Sequence, residues 1–311
     1  MSKDNHSQNP QVAAVFATRD RMVTARECVA SLAAQRHQPR WVVVADNFST
    51  DDTVKALERM DHLPFELVVL RFTENKGNAG GVNQAMLRAF EMGADAVWIL
   101  DDDSWPRPDA LAEMLAKPWR PDVVRHALQI DPQSGRFTWP LQIADEMGGW
   151  RLAYTVDELP HGNFISSRAM WTGALVSREV WMKTGPINES LFIRGEDEEY
   201  PWRIEQAGFQ QEAVKRALMD HPGPKDLVHL SLLGKHFFLE PGLSDWKLYY
   251  KIRNMVWLKR QQSGVPFAVA IAIAYMITVC WVDGIQRLPL TYQAVFDGLT
   301  GKLGKWKQHA A

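Results

Sequence analysis

Over its first third this 311-residue chain alternates with a regularity that few folds accommodate. Runs that read as strands, Val12–Ala17, Trp41–Ala45, Glu66–Phe72 and Ala96–Leu100, alternate with helical segments, Thr24–Gln35, Thr53–Met60 and Val82–Met92. In the first such segment the apolar residues at helical spacing are Ala25, Cys28, Val29 and Leu32. Strands separated by helices of this length predict a parallel sheet of βαβ units, an α/β fold. Runs that are continuously apolar predict strands covered on both faces. Open sheets of this kind bind ligands at the carboxyl ends of their strands, so the chemistry is sought just after each run.

Composition narrows the classes. Lys and Arg number 35 against 37 Asp and Glu, so the basic excess of a dedicated nucleic-acid binder is missing. Cys28 and Cys280 fit no metal or redox spacing, which excludes a disulfide scaffold and favours a reducing compartment, the cytoplasm. The opening MSKDNHSQNP lacks an apolar core, so no secretory signal is expected and residues 1–10 read as a disordered tail. The length allows one large or two modest domains with a sizeable core.

After Pro106 the pattern changes. Val123–Ile130, the turn DPQSG and Phe137–Ile143 predict a hairpin, residues 144–168 are irregular, and Ala169–Ser177 predicts a strand followed by a short helix from Arg178. Glu198–Gly208 predicts a helix that tolerates Pro201 in its first turn and stops at Gly208. Ser244–Gln262 is a Lys/Arg-rich helix, and Val265–Val282 is uncharged and apolar.

The strand-end loops carry the polar signals. The first reads Thr18-Arg19-Asp20-Arg21, and the second begins at Asp46 and continues through Asn47 to Thr53. Ser49, Thr50 or Asp51 can cap the helix that follows, which leaves Asp46 free to accept from a base N–H or sugar hydroxyls. The third loop, Asn75-Lys76-Gly77-Asn78-Ala79-Gly80-Gly81, has glycines suited to close backbone approach at a helix start. The fourth strand runs into Asp101-Asp102-Asp103. In an extended segment Asp101 and Asp103 point the same way, and oxygen ligands so spaced suit Mg²⁺ or Mn²⁺ holding a diphosphate. Further on, Gly195 precedes Glu196-Asp197-Glu198-Glu199, whose mutual repulsion is eased by a helix N-terminus. Glu196 and Glu198 read as cap and solvated face, Glu199 is spaced to pair with Arg203, and a carboxylate left over in a cleft is a candidate general base. His221 stands just past a predicted strand, and a neutral imidazole could complete a metal site begun by two aspartates.

Taken in order, these motifs resemble family 2 glycosyltransferases of GT-A type fold over roughly residues 10–260. The segments that carry the resemblance are Thr18–Arg21, Val44–Asp51, Asn75–Gly81, Leu100–Asp103, Trp171-Thr172-Gly173-Ala174, Phe192–Arg203 and Tyr249-Tyr250-Lys251-Ile252-Arg253-Asn254. The Asn-rich glycine loop and the triple aspartate look most like the galactofuranosyltransferases and rhamnosyltransferases of bacterial surface polysaccharides. The resemblance implies a Rossmann-like, mostly parallel sheet flanked by helices, in a catalytic domain over 11–240. Residues 11–105 would bind the nucleotide, 106–240 the acceptor, and 241–311 would form a helical extension. It implies Asp101, Asp103 and His221 as ligands of Mn²⁺ or Mg²⁺ and Asp197 as the base. Donor contacts would come from Thr18, Arg19, Arg21, Asp46, Asn75, Gly77, Asn78, Gly80, Gly81, Asp101 and Asp102. Acceptor contacts would come from Trp171, Glu196 and Glu199. The implied reaction is an inverting transfer of a sugar from a nucleotide diphosphate donor, UDP-galactofuranose in the first instance and dTDP-rhamnose as the alternative, to a glycan or polyprenyl-linked glycan. The pair Glu196-Asp197 stands where the family has Asp-Asp, and Gly195 replaces a usual aromatic residue.

Two other classes compete. A nucleotidyltransferase would need a basic glycine-rich first loop, and the Thr18–Arg21 loop has no glycine. A non-catalytic carbohydrate-binding module, with some of the 13 Trp as platforms, would not need Asp101–Asp103 and Asp197 together. The apolar stretch Val265–Val282 would reach about 27 Å as a helix, the lower limit for a bilayer span. With Lys247, Lys251, Arg253, Lys259 and Arg260 before it, it suits peripheral contact with the inner face of a membrane or burial in a homo-oligomer.

Overall fold

The computed structural model describes residues 10–168, 170–224, 228–232 and 235–307. The tail expected over 1–10 lies, Pro10 apart, outside the described residues. The chain forms two compact units, one of residues 1–187 with 200–223 and one of 188–199 with 224–311.

The first unit is built from the alternation in the sequence. Its elements begin β1 (Val12–Thr18), α1 (Met22–Ala33), β2 (Trp41–Asp46), α2 (Thr53–Glu58), β3 (Glu66–Arg71), α3 (Gly77–Glu91) and β4 (Ala96–Ile99). They continue with β5 (Trp105–Pro106), α4 (Ala110–Met114), β6 (Val123–Ile130), β7 (Leu141–Ala144), β8 (Trp150–Ala153), β9 (Phe164–Ser166), β10 (Ala174–Ser177), α5 (Arg178–Thr184), α6 (Glu196–Gln206) and β11 (Gln210–Asp220). Helix α6 begins in the second unit and ends in the first. Every residue of β1, β2 and β4 is buried, as continuous apolar runs dictate. β3 differs: it is the sheet's outer strand, and its residues are half-buried or exposed.

The nine-stranded sheet has the order β3-β2-β1-β4-β10-β6-β11-β5, with β9 also on β11. β3, β2, β1 and β4 are parallel, as expected. The hairpin expected from Val123 to Ile143 is corrected. The turn forms, with the Asp131 N–H donating to Arg136 O, but only the bridge Ile130–Phe137 continues it. β6 is buried along its whole length, so it belongs inside the sheet, between β10 and β11, and β7 pairs with β8 instead. The region expected to be irregular, 144–168, thus supplies β8 and β9, and the strand expected from Ala169 starts at Ala174, Ala169 itself being outside the described residues.

Strand direction decides what meets at the edge of this sheet. β10 is antiparallel to both β4 and β6, and β6 is parallel to β11. β4 and β11 therefore run the same way and end at the same edge, where β10 begins. The two-residue strand β5 closes the arrangement by pairing Trp105 with Asp220.

The second unit has a short antiparallel pair, β12 (Val228–Leu232) with β13 (Lys235–Leu239), then α7 (Asp245–Val282) and α8 (Leu288–Thr300). The two helical segments expected on either side of Ser263 are both present: α7 is two helices that meet at a kink at Gly264, where φ is +82°. Gly264 leaves helical geometry and Pro266 lacks the N–H of a regular helix, which accounts for the break. Tyr249 stacks on Trp306 at 4.4 Å between ring centres and Phe192 on Tyr250 at 5.0 Å, in a core shared with Ile271, Val279 and Ala294.

Candidate active site

The carboxyl edge of the sheet gathers the predicted metal ligands. Leu100 continues β4 by donating to Val15 O, and Ser104 N–H then closes a turn on Asp101 O. Asp101–Asp103 is thus a turn and not the extended segment that period-two spacing assumed. His221 is fixed just past β11 because its N–H donates to Ile130 O and its carbonyl accepts from Thr138 Oγ1 at 2.8 Å. His221 Nε2 lies 3.6 Å from Asp101 Oδ2 and 3.5 Å from Asp103 Oδ1. One ligand atom from each of the three residues falls within 4.8 Å of the others.

These gaps exceed a hydrogen-bond length and suit atoms facing one hard cation from different sides. The imidazole has the right form for it. His221 Nδ1 stands 2.9 Å from Pro222 O, so Nδ1 carries the proton and Nε2 presents a lone pair to the aspartates. Burial opposes protonation of His221, but Asp101 and then Asp103 outweigh it and raise its pKa. For Asp101, burial acts to raise the pKa, and His221, the Thr172 hydroxyl and Arg21 together hold it below the usual carboxylate value. A field that favours a positive imidazole equally favours a divalent cation.

The flanking residues have structural partners. Thr172, missed as a site residue, donates from Oγ1 to Asp101 Oδ2 at 2.6 Å. It arrives there because β10 begins at this edge; its place in the Trp171–Ala174 motif was the one available signal. Asp102 turns inward, 8% exposed, and accepts from Thr18 Oγ1 at 2.8 Å and Arg21 Nη1 at 3.1 Å. Burial pushes its pKa up to about 6 despite Arg21. Arg21 Nη1 also reaches Asp103 Oδ2 at 2.6 Å, so the two oxygens of Asp103 face Arg21 and His221 separately. Arg19 Nε lies 3.5 Å from Asp20.

Asp46 sits opposite Thr18 in the β1–β2 register, so the ends of these two strands adjoin. It is 3% exposed, its Oδ2 accepts from Ser49 N–H at 3.3 Å, and its Oδ1 has no donor among the described residues. The glycine loop is corrected: Gly77, Gly80 and Gly81 lie inside α3, and only Gly77 of the three has positive φ, +71°. Gly81 is required by close approach, since a β-carbon there would come within 2.8 Å of Ala17 Cβ and Asn47 Nδ2. Asn75 Oδ1 accepts from Gly77 N–H at 2.9 Å, Asn78 lies in the first turn of α3, and Asn47, also missed, donates from Nδ2 to Gly77 O at 3.0 Å. Trp171 is 4% exposed and meets Tyr200 edge-on at 6.1 Å.

In the second unit, Asp197 is exposed and its Oδ1 accepts from Gly195 N–H at 2.8 Å. Glu196 and Glu199 are each 3% exposed, so the solvated face expected at Glu196 is corrected to a buried carboxylate. Glu198 is exposed, 3.3 Å from Lys259. The loop before Asp197 is held from α7. Asn254 Nδ2 donates to Leu191 O at 2.9 Å, to Ile193 O at 3.0 Å and to Arg194 O, and Arg253 Nη2 donates to Leu191 O at 3.0 Å. Arg194 and Lys251 both pair with Glu240, at 2.6 and 2.9 Å, and although burial opposes them they lower its pKa to about 2.

The model of glycosyl transferase family 2 matches residues 15–183. The chain is 25% identical over 262 residues to the galactofuranosyltransferase GlfT1 of Mycolicibacterium smegmatis, covering 80% of this chain and 83% of that one. It is 23% identical over 299 residues to the dTDP-rhamnosyl transferase RfbF of Shigella flexneri, covering 88% and 91%. Among solved structures it resembles the mannosyltransferase PcManGT of Pyrobaculum calidifontis, in complex with GDP-Man and Mn²⁺, with a TM-score of 0.57 and 19% identity over 97% of this chain and 78% of that one. The mixed, mostly parallel sheet with flanking and C-terminal helices is a GT-A fold.

Proposed function

This chain belongs to glycosyl transferase family 2 and is a glycosyltransferase, and on that premise we propose that it transfers galactofuranose from UDP-galactofuranose to a hydroxyl of a glycan or polyprenyl-linked glycan, at the cytoplasmic face of the membrane, with inversion. The observation that carries the metal-dependent part is the convergence of Asp101, Asp103 and His221 at the sheet edge. These three residues would hold Mn²⁺ or Mg²⁺, and Thr172 keeps Asp101 turned toward it. A divalent cation there supplies charge neutralisation for the donor diphosphate and for the departing UDP.

The chain's own groups do the rest. Asp46 accepts from the nucleobase through its unpartnered Oδ1, beside Thr18 and the Arg19–Arg21 loop. The start of α3, Asn75 to Gly81, offers close backbone approach to the donor. Trp171, Glu196 and Glu199 are assigned to the acceptor side. Asp197 takes the proton as the acceptor oxygen attacks the anomeric carbon. The bond from that carbon to the diphosphate oxygen breaks in the same displacement, and the leaving group keeps the electron pair. A single displacement inverts the carbon and needs no covalent sugar–enzyme intermediate.

The relative from Shigella flexneri favours a second donor, dTDP-rhamnose. One experiment separates the two: a panel of nucleotide sugars is offered with Mn²⁺ and with a chelator. Metal-dependent turnover of UDP-galactofuranose supports the proposal. Turnover of dTDP-rhamnose alone replaces the donor, and turnover unaffected by chelation removes the metal.

A further inference from the structure

In the second unit, five residues of α7 spaced four apart face outward: Val265, Val269, Ile273, Ile277 and Trp281 are 52, 39, 52, 65 and 75% exposed. Residues at this spacing adjoin along a helix face. Ile285, Tyr292 and Phe296, in the turn before α8 and on α8 itself, add further apolar residues at 73, 61 and 54% exposure. An open apolar depression of 530 Å³ lined by Met276, Ile277, Cys280, Trp281 and Leu288 lies within this surface. The surface is not an unfinished core. The opposite side of α7 (Ala268, Ile271, Ala272, Tyr275, Val279) is already buried with Ala294 and Val295 of α8.

Charge says what covers it. Between Gln261 and Thr300 the charged residues are Asp283, Arg287 and Asp297. Both acids are engaged: Asp297 is 2% exposed and accepts from the Tyr249 hydroxyl at 2.7 Å, and Asp283 accepts from Gly242 N–H at 3.0 Å. Just past α8 come the exposed Lys305 and Lys307, together with Lys302, whose Nζ lies 3.4 Å from Asp297 Oδ1, and Arg260 of α7 reaches the same end by donating to Leu299 O. The surface is therefore apolar with a basic border and exposed Trp and Tyr, which favour a membrane–water boundary.

We propose that α7 from Val265 onward and α8 lie flat in the headgroup region of an anionic lipid surface, with Trp281, Ile277 and Phe296 inserted and the lysines on the headgroups. A second copy of this chain would offer the same basic border, and the outward side of these helices holds no acidic partner for it. A bilayer offers apolar depth and countercharge together. A transmembrane span would strip Ile271, Tyr275 and Val279 from α8, whereas flat attachment leaves that packing in place. The inference stands independently of the sugar, the metal and the base.

The test is flotation of the full-length protein with phosphatidylcholine vesicles, with and without phosphatidylglycerol. Binding to the mixed vesicles is expected, about tenfold weaker without the anionic lipid, and weakened by salt. Ile277→Asp with Trp281→Asp should lower binding at least about tenfold, since the charges face headgroups and acyl chains. The milder Trp281→Ala should lower it with an unchanged melting temperature, which separates lost binding from lost folding. Lys305→Glu with Lys307→Glu should abolish the preference for anionic lipid. Wild-type protein that ignores both vesicles, or variants that float as well as wild type, overturns the proposal. So does a lipid-free dimer in sedimentation equilibrium that Ile277→Asp dissociates, because it assigns the surface to a second copy.

Discussion

Asn254 occupies the space that a side chain on Gly195 would need: a β-carbon there would lie 2.8 Å from Asn254 Cβ, and Gly195 holds φ at +105°. The same asparagine donates to the carbonyls of Leu191, Ile193 and Arg194, so one residue of α7 both holds the loop before Asp197 and excludes any residue but glycine at its end. Gly195→Ala should cost about 1–3 kcal/mol through strain and displacement. Asn254→Ala should cost a similar amount, about 1–3 kcal/mol, by leaving buried carbonyls unpaired. Urea denaturation measures both. Turnover should fall further than the loss of folded protein explains, because the loop carries the proposed base.

Asp197→Asn keeps an acceptor at Oδ1 for the Gly195 N–H, so the local fold should survive. The amide cannot take a proton. Transfer should fall by about 10²–10⁴-fold with UDP affinity by calorimetry unchanged. Turnover near wild type would remove Asp197 from the role of base.

Thr172→Val removes the hydroxyl that holds Asp101 Oδ2 at 2.6 Å and leaves all three ligand residues in the sequence. Loss of such a supporting hydrogen bond lowers metal affinity by about 10–100-fold. Titration with Mn²⁺ alone should show that loss, and His221→Ala should show a larger one. If Mn²⁺ binds both variants as it binds wild type, the ion does not occupy this triad.

His126 gives the first unit a pH dependence away from that site. It is fully buried on β6, 2.8 Å from Ser167 Oγ, and burial lowers its pKa to about 4. Near pH 7 it is neutral in both folded and unfolded chains and contributes nothing to the slope. Below about 6.5 the unfolded chain binds a proton that the folded one refuses, so stability falls with pH until the folded value of about 4 is reached. The loss over that window is about 3 kcal/mol. Denaturant unfolding between pH 7 and 4 should show this slope, and His126→Gln should flatten it.

The half of the fold that depends on local pattern was legible in the sequence. β1, β2 and β4 are runs that stay apolar until the polar residues Thr18 and Asp46 close the first two, and burial on both faces requires that. β3 shares the apolar middle of these runs, Leu67–Leu70, between Glu66 and Arg71, yet it lies half-exposed at the sheet's edge, because strand order is not encoded in any one strand. β6 was read as half of a hairpin because a fully buried strand carrying Arg125, His126 and Gln129 does not look like one. Its polar side chains find partners outside the strand: Arg125 donates to the carbonyls of Met114, Ala116 and Pro118, and Gln129 Nε2 donates to Thr172 O at 2.9 Å.

The sequence by itself determined the βαβ alternation and the placing of carboxylates after the strands, since both follow from residue spacing along a single element. It also marked Asp101 and Asp103 as a pair, though by a period-two argument that the turn at Ser104 replaces. Only the tertiary structure decided that His221 and Thr172 reach that pair. Strand direction is a property of the assembled sheet: β4 and β11 end at the edge where β10 begins, and nothing local to residues 101, 172 or 221 records it.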